Sequence, residues 1–351
     1  MNPHLQAWQI SADNFPADGF TTDQLEFLLG YGILAPSSHN TQPWLFQLHT
    51  MHVDVYADRR RARRVVDPYD RELTISCGAA LFNIRVAAEY FGHQCRVNLL
   101  PEAANPNLLA QVDLGLRCET TSEDILLFNA IQQRHTNRQP FRPDPPPEPL
   151  LAALAAAAQQ EGAWLQIVTG EQARNRVAEL VAGADRSQWA DKHFREELAK
   201  WVRPKPEVAR DGLLAEALGV KDWLSFAAPT LIRTFNRGAA QAAKDAATAR
   251  GSPVLAVLGT ETETTRDWLL AGQALEAVLL RARAEDVWAS FLNQPIEVPE
   301  LRSQLAEVIG RGGFPQMLLR LGYGPRAKPT PRRSVRDALI RHKGGEATGK
   351  W

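Results

Sequence analysis

The chain reads as one pattern written twice. Residues 77–81 are Cys-Gly-Ala-Ala-Leu and residues 271–275 are Ala-Gly-Gln-Ala-Leu, each inside a long apolar stretch with helical spacing. Each follows a strand-like segment that opens on Trp-Leu, at Trp44-Leu45 and at Trp164-Leu165. Both halves run helix, strand, long helix, strand. The 351 residues leave room for two domains of ordinary size. A chain duplicated in this way can build inside one polypeptide a site that a homodimer builds between two copies.

Local signals fill in each half. Thr21 and Gln24 have the spacing of a capping box, and Leu25, Leu28, Leu29 and Ile33 then recur at helical intervals until Pro36. "WLFQLHTMHVDVYA" predicts two short strands with a bend near Thr50, and 71–91 a buried helix. Strands are expected near 95–100 and 111–116, and a helix over 123–133. The run "RPDPPPEP" (142–149) has five prolines in eight residues, so it reads as a linker or rigid strap. Beyond it come an Ala-rich helix, the strand "WLQIVTG", helices to about 202 and an irregular stretch to about 250. The strand "SPVLAVLG", a helix over 267–285, a helix near 299–308 and the strand "QMLLRLGYG" follow. The boundaries expected are 1–122 for a first lobe, 123–330 for a second and 331–351 for a mobile basic tail.

Composition removes whole classes. Lys plus Arg equals Asp plus Glu at 40 each, unlike the basic excess of a dedicated nucleic-acid binder. "DRRRARR" (58–64) is short, flanked by Asp58 and Asp67 and free of interleaved aromatics, so it reads as a solvated turn. No apolar run reaches the ~18–20 residues that span a bilayer, and the first twenty residues lack a signal-peptide pattern. Cys77, Cys95 and Cys118 are odd in number and form no CxxC, which fits a reducing compartment. The expectation is a cytoplasmic protein without nucleic-acid or membrane partners. The eight histidines are not at metal-ligand spacings, so no metal is expected. P-loop, HExxH, GxSxG and a strand-borne GxGxxG are all missing.

Three motifs remain that could carry chemistry. "PSSHNTQP" (36–43) places six polar side chains, Ser37 to Gln42, between an apolar helix and an apolar strand. A turn needs only one or two such residues. The surplus suits a ligand edge bearing both donors and acceptors. "RHTNR" (134–138) sets Arg134, Thr136 and Arg138 at alternate positions, which share a face in an extended segment. Two guanidiniums flanking a hydroxyl form a fork for a phosphate or carboxylate; a solvated helix end is the plain alternative. "QPIEVPE" (294–300) offers Glu297 as a general base, although a lone loop Glu is usually solvated. Arg320 sits in an apolar strand, where its charge needs an anionic partner or an edge position.

Taken together these residues resemble the nitroreductase family of flavin enzymes. "APSSHNTQPW" is similar to the family's loop after its second helix, "RHTNR" to its Arg-x-Ser-x-Arg phosphate motif with Thr136 in the serine place, and "QPIE" to its Pro-x-Glu segment beside the flavin ring. The resemblance runs over roughly 20–325. It is closest to the single-chain tandem (Acg-type) branch, of which "DPYDRELTISCGAALFN" and "FPQMLLRLGYGP" also look typical. It implies an α+β, nitroreductase-like fold of two pseudo-repeated lobes. Each lobe would hold a mainly antiparallel sheet flanked by helices, and together they would mimic the family homodimer. It implies FMN as cofactor, NAD(P)H as electron donor and a small-molecule acceptor such as a nitroaromatic or quinone. By that resemblance Arg134, Thr136 and Arg138 hold the phosphate or the ring's pyrimidine edge, while Pro36, Ser37, Ser38, Asn40 and Gln42 contact the ring and ribityl chain. Pro295 and Glu297 lie near N5, with Glu297 the one weak catalytic candidate. Arg320, Arg326, Arg332 and Arg333 are further phosphate candidates. Residues 185–250 would form a lid. A monomer suffices for one composite site, and further dimerisation stays open. Two other readings compete: a lidded flavin store with little turnover, and a degenerate duplicate without flavin that acts as an interaction protein.

Overall fold

The computed structural model describes residues 3–218, 220 and 222–340. Its first half comprises α1 (Thr21–Gly32), β1 (Trp44–Leu48), β2 (His52–Ala57), α2 (Arg71–Tyr90), β3 (His93–Leu99), β4 (Leu108–Arg117) and α3 (Ser122–Ile131). The second half begins after the proline strap with α4 (Glu148–Gln160) and β5 (Trp164–Ile167). A long insertion follows: α5 (Glu171–Ala190), α6 (Lys192–Trp201), the two-residue strands β6 (Val202–Arg203) and β7 (Leu213–Leu214), α7 (Ala228–Thr234) and α8 (Gly238–Arg250). The half ends with β8 (Val254–Thr260), α9 (Thr265–Ala284), β9 (Trp288–Phe291), α10 (Gln294–Glu297), α11 (Pro299–Ile309) and β10 (Phe314–Gly322); α12 (Val335–Ala338) closes the described chain.

The two four-stranded sheets have the orders β1-β2-β4-β3 and β5-β8-β10-β9, with every pairing inside them antiparallel. Numbered within each half, both orders are first-second-fourth-third, and in both a long helix links the second strand to the third. The difference is between the first two strands. A tight hairpin joins β1 to β2, whereas α5–α8 intervene between β5 and β8. The stretch expected to be irregular is therefore largely helical, and it is an insertion at one hairpin position.

The halves meet along α2 and α9, and glycine permits the approach. A Cβ on Gly78 would stand 2.3 Å from the Leu269 carbonyl oxygen, and one on Gly272 would stand 2.1 Å from that of Ile75. No other residue fits at either position without moving backbone. The crossing interlocks two cores. Ile75 of α2 is buried in the second-half core, while Leu269, Ala277 and Leu280 of α9 are buried in the first. At ~1.5–3 kcal/mol each, the buried Ile75, Leu269 and Leu280 side chains contribute strongly to holding the halves together.

Two local expectations change. Thr21 and Gln24 do not form a capping box: Phe20 is the N-cap residue, and Gln24 donates to the carbonyls of Pro16 (3.1 Å) and Ala17 (3.0 Å). Reciprocal boxes form instead at Thr121/Asp124 and Thr264/Asp267. The basic tail is docked through residue 340. Ile340 N donates to Phe46 O at 2.7 Å, and Arg332 and Arg333 are buried against the 34–44 segment. Their guanidiniums supply donors to carbonyls that the turn leaves unpaired. Residues 341–351 of the expected tail lie outside the described residues.

Candidate active site

The loop after α1 cannot continue the helix, because Pro36 lacks a backbone donor. His39, Asn40 and Gln42 all take left-handed φ values, of 52°, 54° and 51°. Three such non-glycine residues within four positions are costly and persist only when the surroundings fix them. Asn40 and Gln42 provide that fixing. Asn40 Nδ2 donates to Pro331 O (3.0 Å) and its Oδ1 accepts from Arg332 (2.9 Å), while Gln42 donates to Arg210 O (2.8 Å) and accepts from Arg333 N (2.7 Å). Two residues of the polar run thus stitch the insertion and the C-terminal segment to the loop. Ser37, Ser38 and His39 face a cavity.

That cavity, of about 270 Å³, is walled by both halves and by the insertion. Pro36, Ser37, Ser38 and His39 come from the first half, Thr136, Arg138, Glu297 and Arg320 from the second. Ile75, Leu275, Phe291 and Met317 give apolar walls, and Trp189, Phe194, Leu198 and Leu218 of the insertion cover it.

Of the residues anticipated from sequence, Pro36, Ser37, Ser38, Thr136, Arg138, Glu297 and Arg320 line this space. Asn40, Gln42, Arg134 and Pro295 are buried and are not among its lining residues. Arg134 ion-pairs with Glu276 of α9 (Nε to Oε1, 3.2 Å) and donates to Leu34 O (3.0 Å). Burial, opposed by Arg134, Arg332 and Asn83, pushes the Glu276 carboxyl up to about 7. Arg326 lies in a separate surface pocket, and Arg332 and Arg333 serve the docked tail.

Arg138 differs from all of these. It opens into the cavity, and it has no hydrogen bond or ion pair among the described residues. The surrounding cavity walls lower its pKa through partial loss of solvation, although its side chain stays accessible to solvent. Arg320 beside it donates to the carbonyls of Asn137 (2.9 Å) and Gln139 (3.0 Å) and stacks over Phe141. Burial first, then the Arg138 charge, brings Arg320 down to about 10. Two guanidiniums without an ion-paired carboxylate leave this end of the cavity positive. Burial, Arg63 and Arg138 hold His39 well below the usual histidine range, so its imidazole is neutral at pH 7.

The opposite wall carries a buried network that the sequence did not reveal. Arg63 Nη2 lies 2.5 Å from Glu72 Oε2 and 3.3 Å from Glu297 Oε1. Ser38 Oγ donates to Glu72 at 2.5 Å, and Gln188 of α5 donates to Glu297 at 2.6 Å. Burial would raise Glu72, but Arg63, Arg71 and the Ser38 hydroxyl hold it below the ordinary value. Glu297 goes the other way: burial and its neighbour Glu72 push it up. Asp185 and Asp245, from α5 and α8, both accept from the Gln294 amide (3.4 and 2.9 Å). Burial and the nearby Asp245 push Asp185 up to about 8. Ser38, Gln294 and Glu297 belong to segments singled out in the sequence; Arg63, Glu72, Asp185, Gln188 and Asp245 match no motif, and only the tertiary fold brings them together.

No protein-family model matches the chain. Rv3131 of Mycobacterium tuberculosis, which carries a provisional NAD(P)H nitroreductase name, is 33% identical over 317 residues, covering 89% of this chain and 90% of its own length. Acg from the same organism, also provisionally named an NAD(P)H nitroreductase, is 26% identical over 326 residues, covering 91% and 96%. Among solved structures, the FMN-dependent nitroreductase NfnB of Mycobacterium smegmatis, in complex with NADPH, aligns at a TM-score of 0.38 and 16% identity, over 64% of this chain and 96% of its own. With a third of its residues shared with Rv3131 along nine-tenths of both sequences, the chain belongs to the NAD(P)H nitroreductase family.

Proposed function

We propose that the cavity between the halves holds one FMN and that the chain is an NAD(P)H-dependent oxidoreductase reducing a small oxidised acceptor, such as a nitroaromatic or a quinone. When bound, FMN supplies two-electron transfer between a nicotinamide and an acceptor that use the pocket in turn. The observation that carries this reading is Arg138: a solvent-accessible guanidinium that opens into a cavity walled by both halves and has no partner among the described residues. A cation left free at the wall of a cavity attracts an anion there. The donor set fits the group. Arg138, Arg320 and Thr136 offer charge and hydrogen bonds to its phosphate or pyrimidine edge. Ser37 and Ser38 present polar groups to its rim, and Ile75, Leu275 and Met317 offer apolar surface to a flat ring. A cation beside the pyrimidine edge favours a reduced, anionic ring.

In this reading the matching connectivity of the two sheets reflects a duplication, with the lobes taking the parts of two subunits and a single chain making one composite site. The insertion over 171–250 then acts as a lid. Its apolar cover of Trp189, Phe194, Leu198 and Leu218 supports a second reading, a flavin store that excludes acceptors. Anaerobic mixing of the FMN-loaded protein with NADPH or NADH separates the two. Bleaching of the flavin bands, followed by recovery on adding a quinone, supports the oxidoreductase. An oxidised spectrum that persists with both nucleotides overturns it in favour of storage.

A further inference from the structure

The β1–β2 hairpin gathers a cluster that the proposed flavin site does not use. Thr50 and Met51 form its two-residue turn, with His49 N donating to His52 O at 2.9 Å. Residues opposite one another in an antiparallel pair share a face, and so do residues two apart along a strand. His49, His52 and Asp54 therefore project from the same side, away from the core face that carries Val53 and Val55. Asp54 Oδ2 lies 3.1 Å from His49 Nε2, Asp54 Oδ1 lies 3.7 Å from His52 Nε2, and one donor atom from each of the three residues falls within 4.8 Å of the others.

Asp54 is 7% exposed, and its Oδ1 has no hydrogen-bond partner among the described residues; Oδ2 takes His49 and, at 3.5 Å, the Tyr56 hydroxyl. A buried carboxylate oxygen left unpaired beside an imidazole nitrogen is costly unless something else completes it. Metal–ligand bonds of ~2.0–2.1 Å in a tetrahedral site put ligand atoms roughly 3.3 Å apart. The two histidine–aspartate separations, one to each oxygen of the carboxylate, lie on either side of that spacing.

We propose that His49, His52 and Asp54 form a binding site for one divalent first-row transition ion of the zinc class. Imidazole nitrogen suits this class, and one carboxylate with two neutral imidazoles makes a three-ligand set with an open position. Asp113 stands directly opposite His52 on β4 and is placed to occupy or flank that fourth position; water is the alternative. The two rings are stacked, with centroids 4.3 Å apart and planes at 19°, so they must rotate about χ2 to aim both nitrogens at one ion. Both are only half-buried at the hairpin end, which leaves room for that rotation. The ion would cross-link the two strands and hold the turn. The site is independent of the flavin reading.

The test is calorimetric titration of the metal-stripped full-length protein with Zn²⁺, repeated with His52→Ala, His49→Gln and Asp54→Asn. Co²⁺ is added separately to read its visible absorption. The expected result is one Zn²⁺ per chain, intense Co²⁺ bands of a four-coordinate site, and binding weakened by roughly tenfold or more in each variant. Circular dichroism of the metal-free histidine variants, whose side chains are half-exposed, confirms that they remain folded. Absence of Zn²⁺ binding, or binding of undiminished affinity in both histidine variants, overturns the proposal.

Discussion

Arg63, from the first half of the chain, bonds Glu297, from the second, through the same nitrogen that holds Glu72. One guanidinium therefore ties a carboxylate of α2, and through it Ser38, to the Pro-x-Glu segment of the other half. Gln188 adds the insertion to the same node. Three parts of the chain that must stay in register to shape one cavity share a single buried cation.

Replacing Arg63 with Met leaves Glu72 and Glu297 buried without their shared counter-charge. The loss of one partner from a buried ion pair costs ~3–5 kcal/mol. Urea unfolding of the FMN-free protein is expected to show a midpoint lowered accordingly with the m-value little changed. Protonation of Glu297, already favoured in the wild type, moderates the loss at low pH.

Arg134 and Arg138 stand four residues apart and are expected to behave differently. Arg138→Ala removes a cation that no group among the described residues uses, so apo stability holds while FMN affinity falls by ~1.5–3 kcal/mol, roughly 10- to 150-fold. Arg134→Ala strands Glu276 and is expected to lower the melting temperature of the FMN-free protein. Fluorescence titration with FMN and thermal unfolding of both variants separate the two roles.

The contrast also marks how far the sequence could be read. Alternation in "RHTNR" put Arg134, Thr136 and Arg138 on one face; Thr136 and Arg138 line the cavity, but Arg134 does not. Alternation could not show that α9 brings Glu276 to Arg134. The same holds for the polar run after Pro36. Ser37 and Ser38 reach the cavity, but Asn40 and Gln42 are taken up by segments 170 and 290 residues away in sequence. Strands and long helices followed from periodicity, whereas the small-Gly-x-Ala-Leu repeats were read only as a mark of duplication, and the close crossing that their glycines permit emerged with the structure. The insertion's helices up to residue 202 were expected; α7, α8 and the carboxylates Asp185 and Asp245 were missed, since none of them matches a motif.

Stability is expected to fall from pH 6.5 to pH 8. Asp185 is raised to about 8, so the native state keeps a proton that the unfolded chain has released. Its contribution is greatest below the ordinary carboxylate pKa and is lost as pH climbs through the folded value. Glu276 and Glu297, raised to about 7, act in the same direction. His39 and His135, both lowered, have the opposite sign, but their effect ends near the ordinary value of 6.5. Melting temperatures of the FMN-free protein across this window are expected to decline, and less steeply in Asp185→Asn.

The helix crossing gives a further test. Gly272→Ala drives a methyl group into the Ile75 carbonyl, and overpacking of this kind costs ~1–3 kcal/mol. Because the displaced helices also carry Ile75 and Leu275 of the cavity wall, FMN affinity is expected to fall together with stability. Thermal unfolding and flavin titration of the one variant check both.

The central claim is that residues of both halves converge on one flavin. Titration of FMN-free protein with FMN, followed by quenching of flavin fluorescence, tests it directly. The account predicts saturation at one FMN per chain, and marked weakening both by Arg138→Ala from the second half and by Ser38→Ala from the first. Saturation at two, no binding, or affinity unchanged in both variants would contradict it.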